Sequence, residues 1–184
     1  SEKTHRSKKY LNLLKEYDTT AELTAPISVT DDEVTSAKDL LESLNMVSPL
    51  AIFSGSVASS RRPPTTIWKG IIEFALNSGV SVLLIGGKRD VPIATELMEF
   101  FPAENLKSVC GKTSLQETIA LISQCAGAIA SDSGLGHISA NLGVPTVSLF
   151  GAGDPEVTAP LGSRTKIIFQ NVHCSPCKKN QCQN

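Results

Sequence analysis

Five residues packed into six positions open the stretch SDSGLGHISANLGVPTVSLFGAGDP, residues 131–155: Asp132, Ser133, Gly134, Gly136 and His137. Glycines at 134 and 136 let a backbone approach a ligand closely. A helix starting there offers N–H groups that no preceding turn satisfies. Such a terminus favours an anion by about 0.3–1 kcal/mol, rising to about 2 when partly buried. That is a fraction of the roughly 8 kcal/mol that holds a micromolar ligand, so other groups must converge on the same anion. Ser133 can donate its hydroxyl, and His137 can add a hydrogen bond of about 1–3 kcal/mol. Asp132 would repel a phosphate and suits instead the hydroxyls of a neutral group attached to it, such as a sugar. Each residue alone also has a plain structural reading. The glycines can form turns, Asp132 can cap a helix, and His137 can be a satisfied structural histidine.

Several chemistries are excluded by spacing. A nucleophile elbow places glycines two before and two after its serine, whereas Ser131 and Leu135 flank Ser133. No G-x-x-x-x-G-K-[ST] occurs, no G-x-G-x-x-G follows the first apolar strand, and no Asp-x-Asp pair supports metal-held diphosphate chemistry.

The corner must be positioned by the elements around it. From residue 50, short apolar runs alternate with helix-length segments: LAIFS, a helix around Trp68–Leu76 stopped at Gly79, VSVLLIGG, and a helix from Asp90 or Val91 to Phe101. LKSVCG, a Ser114-x-x-Glu117 capping box, the helix after it, AGAIAS, VPTVSLFG and TKIIFQ complete the series. Continuous apolar strands separated by helices predict a parallel sheet covered on both faces, a doubly wound Rossmann-like α/β fold. Ligands of such sheets sit outside the carboxyl ends of the strands. The glycine-rich corners Ser54-Gly55-Ser56, Gly86-Gly87, Gly111, Asp132–His137 and Gly151–Asp154 all fall there. Upstream, Tyr10, Leu14 and Tyr17 predict an amphipathic helix over 5–17, and TAPISV reads as a connector or short strand. Thr30-x-x-Glu33 starts a helix that Asn45 ends.

The 184 residues carry 41% hydrophobic and 19% charged side chains, with a formal net charge of −1. That balance offers no electrostatic footprint for nucleic acid, and no apolar run has the length of a membrane span. Five cysteines argue against a closed disulfide framework and for a reducing cytoplasm. Cys110 and Cys125 lie in apolar surroundings as small buried hydrophobes. Cys174, Cys177 and Cys182 have a spacing suited to a metal knuckle, with His173 a candidate fourth ligand. A structural zinc or iron, reduced thiols and a disulfide all stay open.

The run GKTSLQETIALISQCAGAIASDSGLGHISANLGVPTVSLFGAGDP followed by CSPCKKNQC resembles the C-terminal half of glycosyltransferase family nine, the ADP-heptose:lipopolysaccharide heptosyltransferases. The likeness extends back through VSVLLIGGKRD, LAIFSGS and HRSKKYLNLLK. It implies the C-terminal half of a GT-B enzyme: residues 1–48 as interdomain linker helix and lead-in, 49–172 as the nucleotide-sugar-binding domain, and 173–184 as a cysteine-containing tail. It further implies that Ser133, Gly134 and His137 hold the donor diphosphate and that Asp132 contacts the donor sugar. Ser54, Gly55 and Ser56 would line the phosphate side. Arg61 or Arg62 would supply the family's basic residue, although Pro63 stands where the family has tryptophan. Gly87, with Lys88 and Asp90, would face the nucleoside. The implied donor is a nucleotide sugar such as ADP-heptose. The acceptor, a glycolipid or glycan, would be held by an N-terminal domain that also carries the catalytic base; no catalytic residue is expected in this chain. No cofactor is implied for the chemistry, and the full enzyme would be cytoplasmic or peripheral to the inner membrane. Two rivals remain. A nucleotide-sugar 2-epimerase would show acidic residues soon after the glycines, and LGHISAN has none. A non-catalytic nucleotide-binding module would keep the pocket without the partner domain.

Overall fold

Two capping boxes set the starts of helices on one side of the molecule. Thr30 accepts from Glu33 N (3.3 Å) while its own N–H donates to Glu33 Oε2 (2.8 Å). Ser114 and Glu117 repeat the exchange at 3.2 and 2.7 Å. Each box satisfies N–H groups that the first turn cannot pair. The computed structural model describes residues 3–15, 17, 20, 26–101, 104–170, 172–177 and 179–182.

The elements in chain order are α1 (Arg6–Leu14), α2 (Asp31–Ser43), β1 (Leu50–Phe53), α3 (Thr65–Asn77), β2 (Val82–Leu84), α4 (Val91–Phe100) and β3 (Leu106–Ser108). They continue with α5 (Leu115–Ser123), β4 (Gly127–Ser131), α6 (Gly134–Asn141), β5 (Thr146–Phe150), α7 (Pro155–Thr158) and β6 (Thr165–Phe169). Single 3₁₀ turns cover Ser59–Arg61 and Lys88–Asp90. The left-handed stops stand where the sequence places them, at Asn45 (φ 55°) and Gly79 (φ 74°). The short α7 was not expected. Pro26–Val29 form no strand, while Thr24 and Ala25 lie outside the described residues.

All six strands are parallel, in the order β3-β2-β1-β4-β5-β6. This is the expected doubly wound α/β sheet. Alternate residues of each strand feed two cores, as a period of two requires. Ala51, Phe53, Leu83 and Ile85 pack with Ala37 and Leu41 of α2 and Leu121 and Ile122 of α5. Ile52, Val82 and Leu84 pack with Trp68 and Ile72 of α3 and Leu97 of α4. On α3 the buried positions are Trp68, Ile72 and Ala75, one stripe at helical spacing. Lys69 adds a tie between α3 and α4, 3.2 Å from Glu96 and 4.1 Å from the centre of the Phe100 ring.

Helix α1 differs from expectation. It buries no residue, and Tyr10, Leu14 and Tyr17, the proposed apolar face, are exposed. It is fastened at its N-terminal end instead. Lys3 Nζ lies 3.0 Å from Asp154 and 3.2 Å from Glu156. His5 Nε2 is 3.0 Å from the Ala159 carbonyl.

The chain leaves β1 toward β2 and β3 on one side, then returns to place β4 on the other side of β1. Strand order reverses between β1 and β4, and a crevice opens beyond their carboxyl ends at such a switch point.

Candidate functional site

At the switch point β4 ends in Ser131 and β1 is followed directly by Ser54, and the short polar loops beyond them are tied together. Ser131 Oγ, at the end of β4, donates to the Gly55 carbonyl. Ser56 Oγ returns a bond to the Asp132 carbonyl at 2.9 Å, and Arg62 Nε donates to the Ser56 carbonyl at 2.6 Å. These bonds hold the two glycine-rich corners as one rigid rim.

Beyond the rim lies a cleft of about 750 Å³, within the range of small-molecule and cofactor sites. Gly55, Ser56, Arg61, Arg62, Gly87, Asp132, Ser133, Gly134 and His137 all line it, so the structure brings nearly every expected residue together. Ser54 is the exception. It follows Phe53 directly, is buried, and stands behind the loop rather than in the cleft wall. Lys88 and Asp90 line the cleft as well.

Helix α6 starts at Gly134 with Ser133 as its N-cap residue, yet the Ser133 side chain makes no capping bond. Its Oγ is buried without a hydrogen-bond partner, and so is Asp132 Oδ2. A buried polar atom left unmatched costs about 1–3 kcal/mol. Two such atoms on consecutive residues at a cleft wall point to a ligand that supplies the missing partners. Arg61 Nε approaches Asp132 Oδ2 to 3.4 Å, an ion-pair distance but not a hydrogen bond.

Asp132 does not cap α6; it is packed beneath it. Burial pushes its carboxyl above the ordinary aspartate value, and the charges of Arg61, His137 and Arg6 pull it back in part. Gly153 supplies the room, since a Cβ there would stand 2.2 Å from Asp132 Oδ2. His137 projects from the first turn of α6 with a face open to solvent. Desolvation by the surrounding cleft wall lowers its pKa below the ordinary histidine value, Asp132 opposes that shift, and His5 adds to it. The charge at this corner therefore responds to what enters the cleft.

Asp90, besides lining the cleft, links two loops. Its carboxylate accepts the Gly87 N–H at 2.9 Å and makes no capping bond to α4. It fills the space against two glycines: a Cβ on Gly55 would meet Asp90 Oδ1 at 1.9 Å, and one on Gly86 would meet Oδ2 at 2.6 Å. Asp90 thus braces the loop after β1 against the loop after β2.

The cysteine tail is fastened through backbone atoms. Ser60 N donates to the Asn180 carbonyl (3.1 Å), Ser60 Oγ to the Lys179 carbonyl (2.7 Å), and Cys177 N to the Ala152 carbonyl (2.6 Å). Among the described residues, no three of His, Cys, Asp and Glu gather to hold a metal ion. The expected ligands Cys174, Cys177 and Cys182 are therefore not arranged as a metal site here. The tail instead ties the turn carrying Arg61 to the loop carrying Gly153.

The sequence reading passed over Arg6, which lines the cleft from the start of α1, and the apolar wall formed by Phe53, Ile85, Leu115 and Ile138. The strand-end positions of Phe53 and Ile85 offered a signal for the latter. Nothing local marks Arg6.

Residues 2–184 match the model of glycosyltransferase family 9 (heptosyltransferase). The chain belongs to this family. It is 34% identical over 113 residues to lipooligosaccharide heptosyltransferase 2 of Haemophilus influenzae, covering 59% of this chain and 32% of that protein. The solved E. coli ADP-heptose lps heptosyltransferase II superposes with a TM-score of 0.69 at 25% identity, over 78% of this chain and 44% of that one. The E. coli heptosyltransferase WaaC solved with ADP shares the fold, with a TM-score of 0.70 at 18% identity over 93% of this chain and 52% of that one. This family 9 chain thus spans about a third of the length of the curated relatives it matches. Among its described residues no helix is long and apolar enough to cross a membrane.

Proposed function

We propose that the chain is the donor-binding half of a heptosyltransferase acting in lipopolysaccharide or related surface-glycan synthesis, and that its cleft takes a nucleoside diphosphate sugar, ADP-heptose foremost. The observation that carries this reading is the pair of unpartnered buried atoms, Ser133 Oγ and Asp132 Oδ2, at the start of α6 and beneath a cationic rim. In this reading residues 49–172 form the donor domain, with 1–48 as linker and lead-in and 173–184 as tail. The Ser133 hydroxyl, the first N–H groups of α6 and His137 hold the diphosphate. Asp132 accepts from a sugar hydroxyl, since a carboxylate beside phosphate needs a neutral donor. Gly87 and Lys88 face the nucleoside, in keeping with the ADP bound to the WaaC chain of the same fold.

The chemistry of this half is electrostatic. As the bond from the anomeric carbon to the diphosphate breaks, negative charge grows on the leaving oxygen. Preorganised donors aimed there lower the barrier without reorganising. His137, the α6 terminus and the arginines occupy that position. The acceptor glycan and the base that activates its hydroxyl are placed in the part of the enzyme that these residues do not span, in the cytoplasm where nucleotide sugars are made. Cys174, Cys177 and Cys182, as arranged, do not fit a metal ion, and no step runs through one.

The test is calorimetry with ADP across pH 5.5–8. A diphosphate favours the charged imidazolium, so binding raises the depressed pKa of His137 and takes up a proton. Affinity should fall as pH rises, and His137→Ala should weaken binding by about 1–3 kcal/mol at the acid end. The terminal phosphate of ADP titrates in the same region, so the His137→Ala profile supplies its baseline. Asp132 and His5 act on the same ring and stay unchanged in that comparison. Absence of ADP binding by the parent chain would refute the donor reading. Identical pH profiles for parent and variant would return His137 to a structural role.

A further inference from the structure

Four guanidinium groups line the cleft, those of Arg6, Arg61, Arg62 and Arg89, and they differ in what already occupies them. Arg61 stands 3.4 Å from Asp132, and Arg62 donates its Nε to the Ser56 carbonyl. Arg6 comes from the far end of the chain, lines the same cleft, and forms no side-chain hydrogen bond or ion pair among the described residues. Arg89, in the turn after β2, has its fork open as well, but of the two it is Arg6 whose charge reaches Asp132, the neighbour of Ser133.

Its position is held by an anchor of its own. Helix α1 buries nothing, so packing does not fix it. Directly before Arg6, His5 Nδ1 accepts the Ser7 N–H at 3.3 Å and so caps the helix. With Nδ1 accepting, Nε2 carries the proton and donates to the Ala159 carbonyl at 3.0 Å. Lys3 pairs with both Asp154 and Glu156. Single surface ion pairs contribute little, but three bonds within three residues clamp the start of α1 onto the loop 154–159. That clamp leaves the outer face of α1 in solvent and brings Arg6 to the cleft. The carboxyl of Asp132 already senses the Arg6 charge.

We propose that Arg6 is a phosphate-gripping residue of the donor site, delivered by the anchored N-terminus of α1 to close over the diphosphate opposite Ser133 and His137. The inference rests on the donor-binding reading above and adds a residue to it. An arginine suits the role because its planar fork can bind two phosphate oxygens at once. It also makes the linker a sensor: a displaced α1 takes one diphosphate contact with it.

The experiment is titration of the 184-residue chain with ADP and with adenosine, at low and at high salt. Arg6→Ala should weaken ADP about tenfold, the worth of one charge-assisted hydrogen bond at a part-exposed site, and leave adenosine unchanged. Arg6→Lys should recover part of the loss, and the difference should shrink at high salt. His5→Ala should reproduce the loss with Arg6 still present, and the double variant should be no weaker than Arg6→Ala. Equal thermal midpoints establish that the variants fold. ADP binding by Arg6→Ala at parental strength, or equal losses for ADP and adenosine, would overturn the role of Arg6 while the donor reading stood. Parental ADP affinity in His5→Ala would overturn delivery by the anchor. A parent chain that binds neither ligand would overturn the donor reading itself.

Discussion

Asp132 carries the tension of the site in a single carboxylate. It is buried, one oxygen lacks a hydrogen bond, and burial raises its pKa from 3.8 despite three nearby cations. A folded-state value above the unfolded one means the native state prefers the protonated form. The contribution of this one group to stability is therefore fully present below about pH 3.8 and is lost as pH rises through the folded value. At neutral pH the ionised group is a standing cost. Asp132→Asn should be more stable than the parent at pH 7 in urea unfolding, with the gap closing as pH falls toward 3.8. Arg61 loses its partner in that variant, but its side chain is 39% exposed, so water compensates. A variant less stable than the parent at pH 7 would show that the carboxylate is a structural asset. Stability lost to keep a charge buried at a cleft is common at sites that must meet a ligand.

At the level of elements, the loops are locked by a side chain rather than by their own turns. Asp90 fills the space that Cβ atoms on Gly55 and Gly86 would need. Gly55→Ala should cost about 1–3 kcal/mol as an overpacked site. The same substitution in an Asp90→Ala background should cost far less, because the colliding oxygen is gone. Coupling of that kind is read by a double-mutant cycle from chemical denaturation. Strictly additive losses would show that the loop relaxes without help. This brace also explains what the sequence reveals and what it withholds. The capping boxes at Thr30 and Ser114 were legible because both partners lie within one turn, and Gly79 because a left-handed stop is a local demand. The convergence of the corners at 55, 87 and 132–137 was legible because parallel sheets bring their strand ends to one edge. The bracing role of Asp90 was hidden because it depends on Gly55, which comes from another loop. Tyr10 and Leu14 repeat at helical spacing yet stay exposed, because periodicity records a helix and not what covers it. Ser54 was placed one residue too far along: as the immediate continuation of β1 it is still buried with the strand. Arg6 was invisible because only the contacts of Lys3 and His5 with the loop 154–159 bring it to the cleft.

At the scale of the whole molecule, the strand order decides where a ligand can sit. The chain belongs to family 9 and covers about a third of its curated relatives. The same order also governs the route by which the cleft comes into being. β1 pairs on one side with β2, its next strand in the chain, and on the other with β4, which follows two further helix–strand units. The second pairing closes the longer loop and meets the larger entropy cost, so it should form late, after the β1–β2–β3 side has associated. Since Gly55 and Ser133 face each other only once β4 is in place, partly folded chains should lack nucleotide affinity. Saturating ADP should then slow unfolding in stopped-flow experiments and leave the refolding limb unmoved, the signature of contacts made after the barrier. Refolding accelerated by ADP would place the β1–β4 pairing before it. A chain emerging from the ribosome would, by the same logic, remain blind to any ligand of the cleft until the second half of its sheet had been synthesised.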